Sequence, residues 1–191
     1  MQDPLLFSLT VLLILGTPGP TNTLLATAGA TVGFRRALPL LPAEAAGYLI
    51  AILAIGLALG PFVAGVPAVA MGLRLAVGTY LALLAVKLWR RGPVDLSVMP
   101  VTPRQVFVTT LLNPKAIVFA LGVIPFGATP WWPWMLGFLG LLSGVALGWI
   151  GLGTLLGRAA GAAGRAGLVP KLGAAAVGAF ALVLVVGPLL R

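Results

Sequence analysis

The chain contains no cysteine and no histidine, and only three acidic residues, Asp3, Glu44 and Asp95. Without cysteine there are no disulfides and no thiol nucleophile. Without histidine the commonest general acid–base group is missing, and the two absences together leave no soft-metal site. Asp3 and Asp95 stand beside charged or loop-like sequence, so a paired-carboxylate site inside an apolar segment is not available either. An embedded enzyme would have to work with Ser, Thr, Lys115 and Glu44, a thin set for nucleophile and base. The chain is therefore not expected to be an enzyme, and neither a metal nor an organic cofactor is expected.

What is present is apolar. Of 191 residues, 60% are hydrophobic and 8% charged, and the mean hydropathy is +1.14, which points to an all-α integral membrane protein rather than a soluble domain. The net charge of +9 is not a nucleic-acid signature, because the basic residues are scattered in short segments between apolar runs instead of gathered on one solvated face. Residues 5–16 are followed by Gly16-Thr17-Pro18-Gly19-Pro20 and preceded by Met-Gln-Asp-Pro. That is neither a small-x-small cleavage site nor a positive leader, so the segment reads as a retained first helix.

A membrane helix needs about 20 predominantly apolar residues, and six segments qualify: 5–29, 38–60, 67–88, 105–126, 133–156 and 171–190. Phe34-Arg35-Arg36 separates the first two, Pro61, Gly65 and Pro67 mark the second turn, and Trp89-Arg90-Arg91-Gly92-Pro93 follows the third span. Lys and Arg fall in the odd connections: Arg35 and Arg36; Lys87, Arg90, Arg91 and Arg104; Arg158, Arg165 and Lys171. The positive-inside bias then places the odd loops in the cytoplasm and both termini outside. Trp131, Trp132 and Trp134 fall at the outer end of span five, where an interfacial aromatic belt belongs. Arg74 is expected to snorkel to the outer interface.

Three spans per half imply one membrane domain, 1–191, made of two inverted three-helix repeats, 1–95 and 96–191. Thr17-Pro18-Gly19-Pro20 interrupts span one near its middle, and Leu112-Asn113-Pro114-Lys115 interrupts span four at a similar depth. Interruptions at matching places in two halves are the best sequence pointer to a transporter site. At Pro18-Gly19-Pro20, where three successive residues oppose helix, a true break is expected; at Pro114 alone the expectation is an ordinary kink. The half-helix after Pro20 would turn N–H groups and a positive dipole end toward a substrate carboxylate. Thr17, Thr21, Asn22 and Thr23 either add polar contacts to that ligand or cap the broken backbone.

Lys115 lies about 15 Å into its span by helical rise, too deep for easy snorkelling, and an ionisable group there is a functional candidate by default. It either meets a substrate carboxylate or a proton, or bonds carbonyls freed at the Pro114 break. Glu44, the one acid inside an expected span, binds a substrate ammonium, carries a coupling proton, or pairs with Arg35, Arg36 or Lys115; all these readings stay open. Gly140, Gly144 and Gly148, Gly29 and Gly33, and Gly56 and Gly60 form four-residue ridges suited to close helix contact within one chain or in a homodimer.

Thr17-Pro18-Gly19-Pro20, Gly33-Phe34-Arg35-Arg36-Ala37, Gly78-Thr79-Tyr80-Leu81 and Leu112-Asn113-Pro114-Lys115-Ala116 occur in the order seen in the LysE/RhtB amino-acid exporters. Over essentially its whole length the chain resembles a member of that family. The resemblance implies a secondary transporter of the inner membrane that exports amino acids or their derivatives by proton antiport. Thr17, Pro18, Gly19, Pro20, Asn22, Asn113, Pro114 and Lys115 would then lie at the substrate path, with Glu44 the candidate for ion coupling. Pro39, Pro42 and Glu44 stand where the family shows a glycine-rich run, and Thr21-Asn22 replaces an Asn directly after the second proline. With no Cys or His, a metal cargo is not expected.

Overall fold

The computed structural model describes residues 3–59, 101–126 and 130–162, with Thr79, Leu83, Val86 and Ala175 as isolated helical positions. Expected spans three and six, apart from those positions, lie outside the described residues, as do Arg74, Gly60 and the basic residues of the third and fifth loops other than Arg104 and Arg158. Of the described residues 88% are helical, and there is no strand among them.

Among the described residues seven α-helices follow in chain order: α1 (Pro4–Gly16), α2 (Pro20–Val32), α3 (Phe34–Ala37), α4 (Leu41–Leu53), α5 (Pro103–Leu111), α6 (Pro114–Val118) and α7 (Trp132–Ala162). A 3₁₀ turn, Leu38–Leu40, joins α3 to α4, because Pro39 cannot donate to a regular α ladder. The ends of α4 and α6 widen into π-helical turns at Ala54–Leu59 and Phe119–Val123. Phe34–Ala58 and Trp132–Ala162 are each long and apolar enough to cross a membrane. The pairs α1–α2 and α5–α6 are long and apolar enough only when taken together and are bent by 66° and 46°, each a broken span or a re-entrant loop, which gives two to four candidate spans among the described residues.

The boundaries differ from the sequence expectation in three places. Span two begins at Phe34 rather than Leu38, so Phe34-Arg35-Arg36 is the first helical turn and not a loop. The chain reverses instead at one residue, Gly33, with φ 84° and ψ 167°, a region open essentially to glycine alone. Gly33→Ala is expected to lower stability by about 1–3 kcal/mol, read as a fall in thermal midpoint in detergent. Gly33 is thus a turn residue and not part of a packing ridge. Span five runs through Arg158 to Ala162, longer than the expected 133–156. The Pro114 interruption is a full break, not a kink: Asn113 is extended (φ −76°, ψ 123°) and its side chain caps the next helix, as a residue before proline is driven to be.

Close packing rests on glycine, but not on the ridge the periodicity singles out. Gly140, Gly144 and Gly148 are exposed, with no atom of the described residues within 4 Å of a Cβ at each. The contact between α2 and α7 is made by Gly29, Gly153 and Gly157, where added Cβ atoms would run into the backbone carbonyls of Ile150, Ala26 and Ala30. The Thr154 hydroxyl spans the same seam, donating to Gly29 O at 3.1 Å. Gly56 lies against the Phe126 ring.

Outward faces are apolar: Leu5, Leu6, Leu9, Leu12 and Leu13 on α1, and Leu136, Leu152, Leu155 and Leu156 on α7, are exposed. So much contiguous apolar surface suits lipid rather than water. The two ends of the bundle differ. Phe7 meets Trp134 edge-on at 5.0 Å and Phe126 meets Trp131 at 5.4 Å, so one end is aromatic, with Asp3 capping α1 there. At the other end Arg35 and Arg36 follow the Gly33 turn, Arg158 follows Gly157 where α7 packs on Ala30, and Arg104 opens α5, which touches the Leu38–Leu40 turn. All four arginines are exposed.

Candidate functional site

Proline sets both breaks locally. Pro18 holds Thr17 extended (φ −61°, ψ 135°), so α1 stops, and Pro20 opens α2 at a first-turn position where its missing N–H is not needed. Pro114 does the same for α6 after Asn113. Each break strands carbonyls at the end of one half-helix and N–H groups at the start of the next. In a membrane these must be bonded within the protein or beside a polar cavity.

The two breaks meet each other. Lys115 Nζ, on the second, donates to Thr17 O at 2.6 Å and to Leu15 O at 3.4 Å, on the first. The lysine therefore serves carbonyls from a helix 98 residues away and not those of its own break. A cation at the carbonyl end of α1 also complements that helix dipole. Asn22 Nδ2 donates to the same two carbonyls, 2.7 Å to Leu15 O and 2.9 Å to Thr17 O. Lys115 lies flat on the first break: a Cβ at Gly19 would stand 3.4 Å from both its Cε and its Nζ.

Asn113 is the second tie. Its Oδ1 accepts from Lys115 N at 3.1 Å, while its Nδ2 donates to Thr21 Oγ1 and to Tyr48 Oη, each at 3.1 Å. Thr21 Oγ1 and Thr110 Oγ1 are 3.2 Å apart and share a hydrogen bond. Thr21, Asn22, Asn113, Lys115, Thr110 and Tyr48 are all buried, so the polar centre is enclosed. It is framed on one side by Tyr48, Phe119 and Phe138, packed edge to face with centroids 4.8–6.0 Å apart.

Helix α4 completes the centre because Gly47 lets it approach α5. A Cβ there would come within 2.8 Å of Thr110 Cβ and 2.9 Å of Phe107 O. Glu44 and Tyr48, one turn apart and bracketing Gly47, are thereby carried to the second break. Glu44 is 2% exposed and its Oε2 has no hydrogen-bond partner. Arg35 and Arg36 are exposed at the bundle end; among the described residues the cation near enough to interact with Glu44 is Lys115.

Of the expected site residues, Gly19, Pro20, Asn22, Asn113, Pro114, Lys115 and Glu44 are gathered around this centre. Thr17 contributes its carbonyl, since its hydroxyl bonds Ile14 O at 2.6 Å within its own helix. Pro18 is exposed and acts by ending α1. Thr23 N–H closes the first turn of α2 on Gly19 O. Sequence reasoning missed Tyr48 and Thr110. Tyr48 had a signal, a phenol four residues beyond Glu44 on the same helix face. Tyr48→Phe removes one acceptor of Asn113 and is expected to cost about 1 kcal/mol, checked by thermal unfolding in detergent.

Comparisons of the chain with protein-family models, with characterised proteins and with solved structures find no match. The described residues form a helical protein with segments long and apolar enough to cross a membrane and two bent helix pairs that meet at a buried polar core.

Proposed function

We propose that the chain is a secondary transporter that exports amino acids or closely related small solutes across a cytoplasmic membrane in exchange for protons. The observation that carries this reading is the meeting of two broken helices at an enclosed centre holding Lys115 and Glu44. Irregular backbone and ionisable groups at that depth are costly, and they mark solute and ion paths where they occur. The first break offers a buried helix start, α2, whose N-cap residue Gly19 provides no side-chain cap. Such a start suits a carboxylate, with the Lys115 ammonium lying against it.

In this reading the whole chain forms six spans in two inverted repeats, each supplying one break, and rocks between inward and outward states about the centre. The four exposed arginines at one end fit a cytoplasmic face, and the tryptophan-rich end an outer one with the termini. The pairing of motifs that resembles the LysE/RhtB exporters supplies the direction of transport and the solute class.

The test is counterflow. Proteoliposomes preloaded with an unlabelled amino-acid mixture are expected to accumulate one or a few labelled amino acids from outside, with no accumulation in protein-free vesicles. Absence of exchange for every amino acid, in a folded preparation, would remove this solute class and favour a non-transporting helper subunit.

A further inference from the structure

The carbonyls that hold Lys115 are doubly served, whereas one oxygen of the Glu44 carboxyl group, Oε2, is buried and not served. Leu15 O and Thr17 O each accept from both Lys115 Nζ and Asn22 Nδ2, so the lysine can leave without stranding either one. Glu44 Oε2 is buried and without a partner, and no hydrogen bond joins it to Lys115. A bare carboxylate in such a place is strongly unfavourable, whereas a protonated one is tolerable.

We infer that Lys115 exchanges partners: it rests on the Leu15 and Thr17 carbonyls while Glu44 carries a proton, and moves to the Glu44 carboxylate when that proton leaves. The step balances simply. The Glu44 O–H bond breaks, the proton passes to water on the side to which the centre is open, and the Lys115 ammonium becomes the countercharge of the anion left behind. Loss of the Lys115 strap frees the first break to move against the second, while Asn22 keeps the end of α1 bonded. Proton release at α4 is thereby tied to movement at the α1–α2 break. Among the described residues the other titratable group facing Glu44 is Tyr48 on its own helix. On the elements packed against α4, Arg104 and Arg158 are exposed at the bundle end and the Phe119–Val123 turn has no titratable group. This inference rests on the transport reading and supplies its coupling step.

Two measurements separate the inference from that reading. Infrared spectroscopy of the protein in bilayers at neutral pH is expected to show the carbonyl stretch of a protonated carboxyl group. That band should disappear in Glu44→Gln and move in Glu44→Asp, an assignment simplified by the presence of only three acidic residues in the chain. In proteoliposomes, Glu44→Gln, which cannot draw Lys115 off the carbonyls, is expected to lose accumulation driven by a pH gradient. A wild-type protein without the band, or a Glu44→Gln variant still driven by the gradient as wild type is, overturns the partner exchange. Should the wild type move no solute, the transport reading fails while the infrared band still decides the state of Glu44. If Glu44→Gln does not fold, the wild-type band and its shift in Glu44→Asp carry the decision.

Discussion

Lys115→Ala is expected to reduce solute exchange to the level of protein-free vesicles while leaving a folded, monodisperse protein. The expectation follows from the bond pattern at the first break. Among the described residues Lys115 supplies the only ammonium that meets the first break, and it ties the second break to the first through Thr17 O and Leu15 O. Removing it takes away the charge that faces both the α2 start and Glu44. It does not orphan the carbonyls, because Asn22 Nδ2 still donates to both. Interhelical hydrogen bonds in membranes are worth about 0.6–2 kcal/mol each, so the loss in stability should be modest beside the loss of function. Exchange rates in proteoliposomes, read alongside size-exclusion profiles and thermal midpoints in detergent, separate the two effects. Near-normal exchange by Lys115→Ala would remove the lysine from the path.

Gly153→Leu should do the opposite, failing at the level of folding. Helix α7 reaches α2 with its backbone close enough that a Cβ at Gly153 would collide with the Ala26 carbonyl, and the flanking contacts at Gly29 and Gly157 are equally close. The backbone on the other side cannot move aside as a flexible side chain would, so α2 and α7 must separate. With them goes the support of α2, whose first turn carries Thr21 and Asn22. A loss of about 3 kcal/mol or more is expected, in the range of severe overpacking, seen as loss of monodisperse protein. Gly144→Leu is the control: it lies on α7 with no atom of the described residues within 4 Å and should be tolerated in the isolated chain. The two substitutions add the same side chain to the same helix, so a difference between them isolates the seam.

The breaks were legible in the sequence because proline acts locally. Pro18, Pro20 and Pro114 constrain their own backbone and that of the preceding residue, and no distant partner is needed to see it. That the second would be a capped break and not a kink depended on Asn113, whose amide oxygen serves as N-cap while its amide nitrogen donates to Thr21 and Tyr48. Those partners are 92 and 65 residues away, and nothing in a single sequence states such pairings. The same holds for Lys115, whose carbonyl acceptors carry no side-chain signature at all. Four-residue glycine spacing named a stripe on α7, but two faces of that helix carry glycine, and only packing shows that Gly153 and Gly157 are covered while Gly140, Gly144 and Gly148 are not. Phe34-Arg35-Arg36 resembled a loop by charge, yet one glycine at positive φ was enough to reverse the chain.

The central claim is that solute passes through the place where the broken helices meet, and it can be tested at Thr21. This residue is buried between Thr110 and Asn113, and the chain contains no cysteine of its own, so Thr21→Cys presents a single thiol close in size to the residue it replaces. In proteoliposomes that exchange solute, a membrane-impermeant thiol reagent is expected to label this position from either face during turnover, and transported solute is expected to protect it. A thiol that stays unlabelled from both faces while exchange continues, or that labels equally with and without solute, would place the path elsewhere.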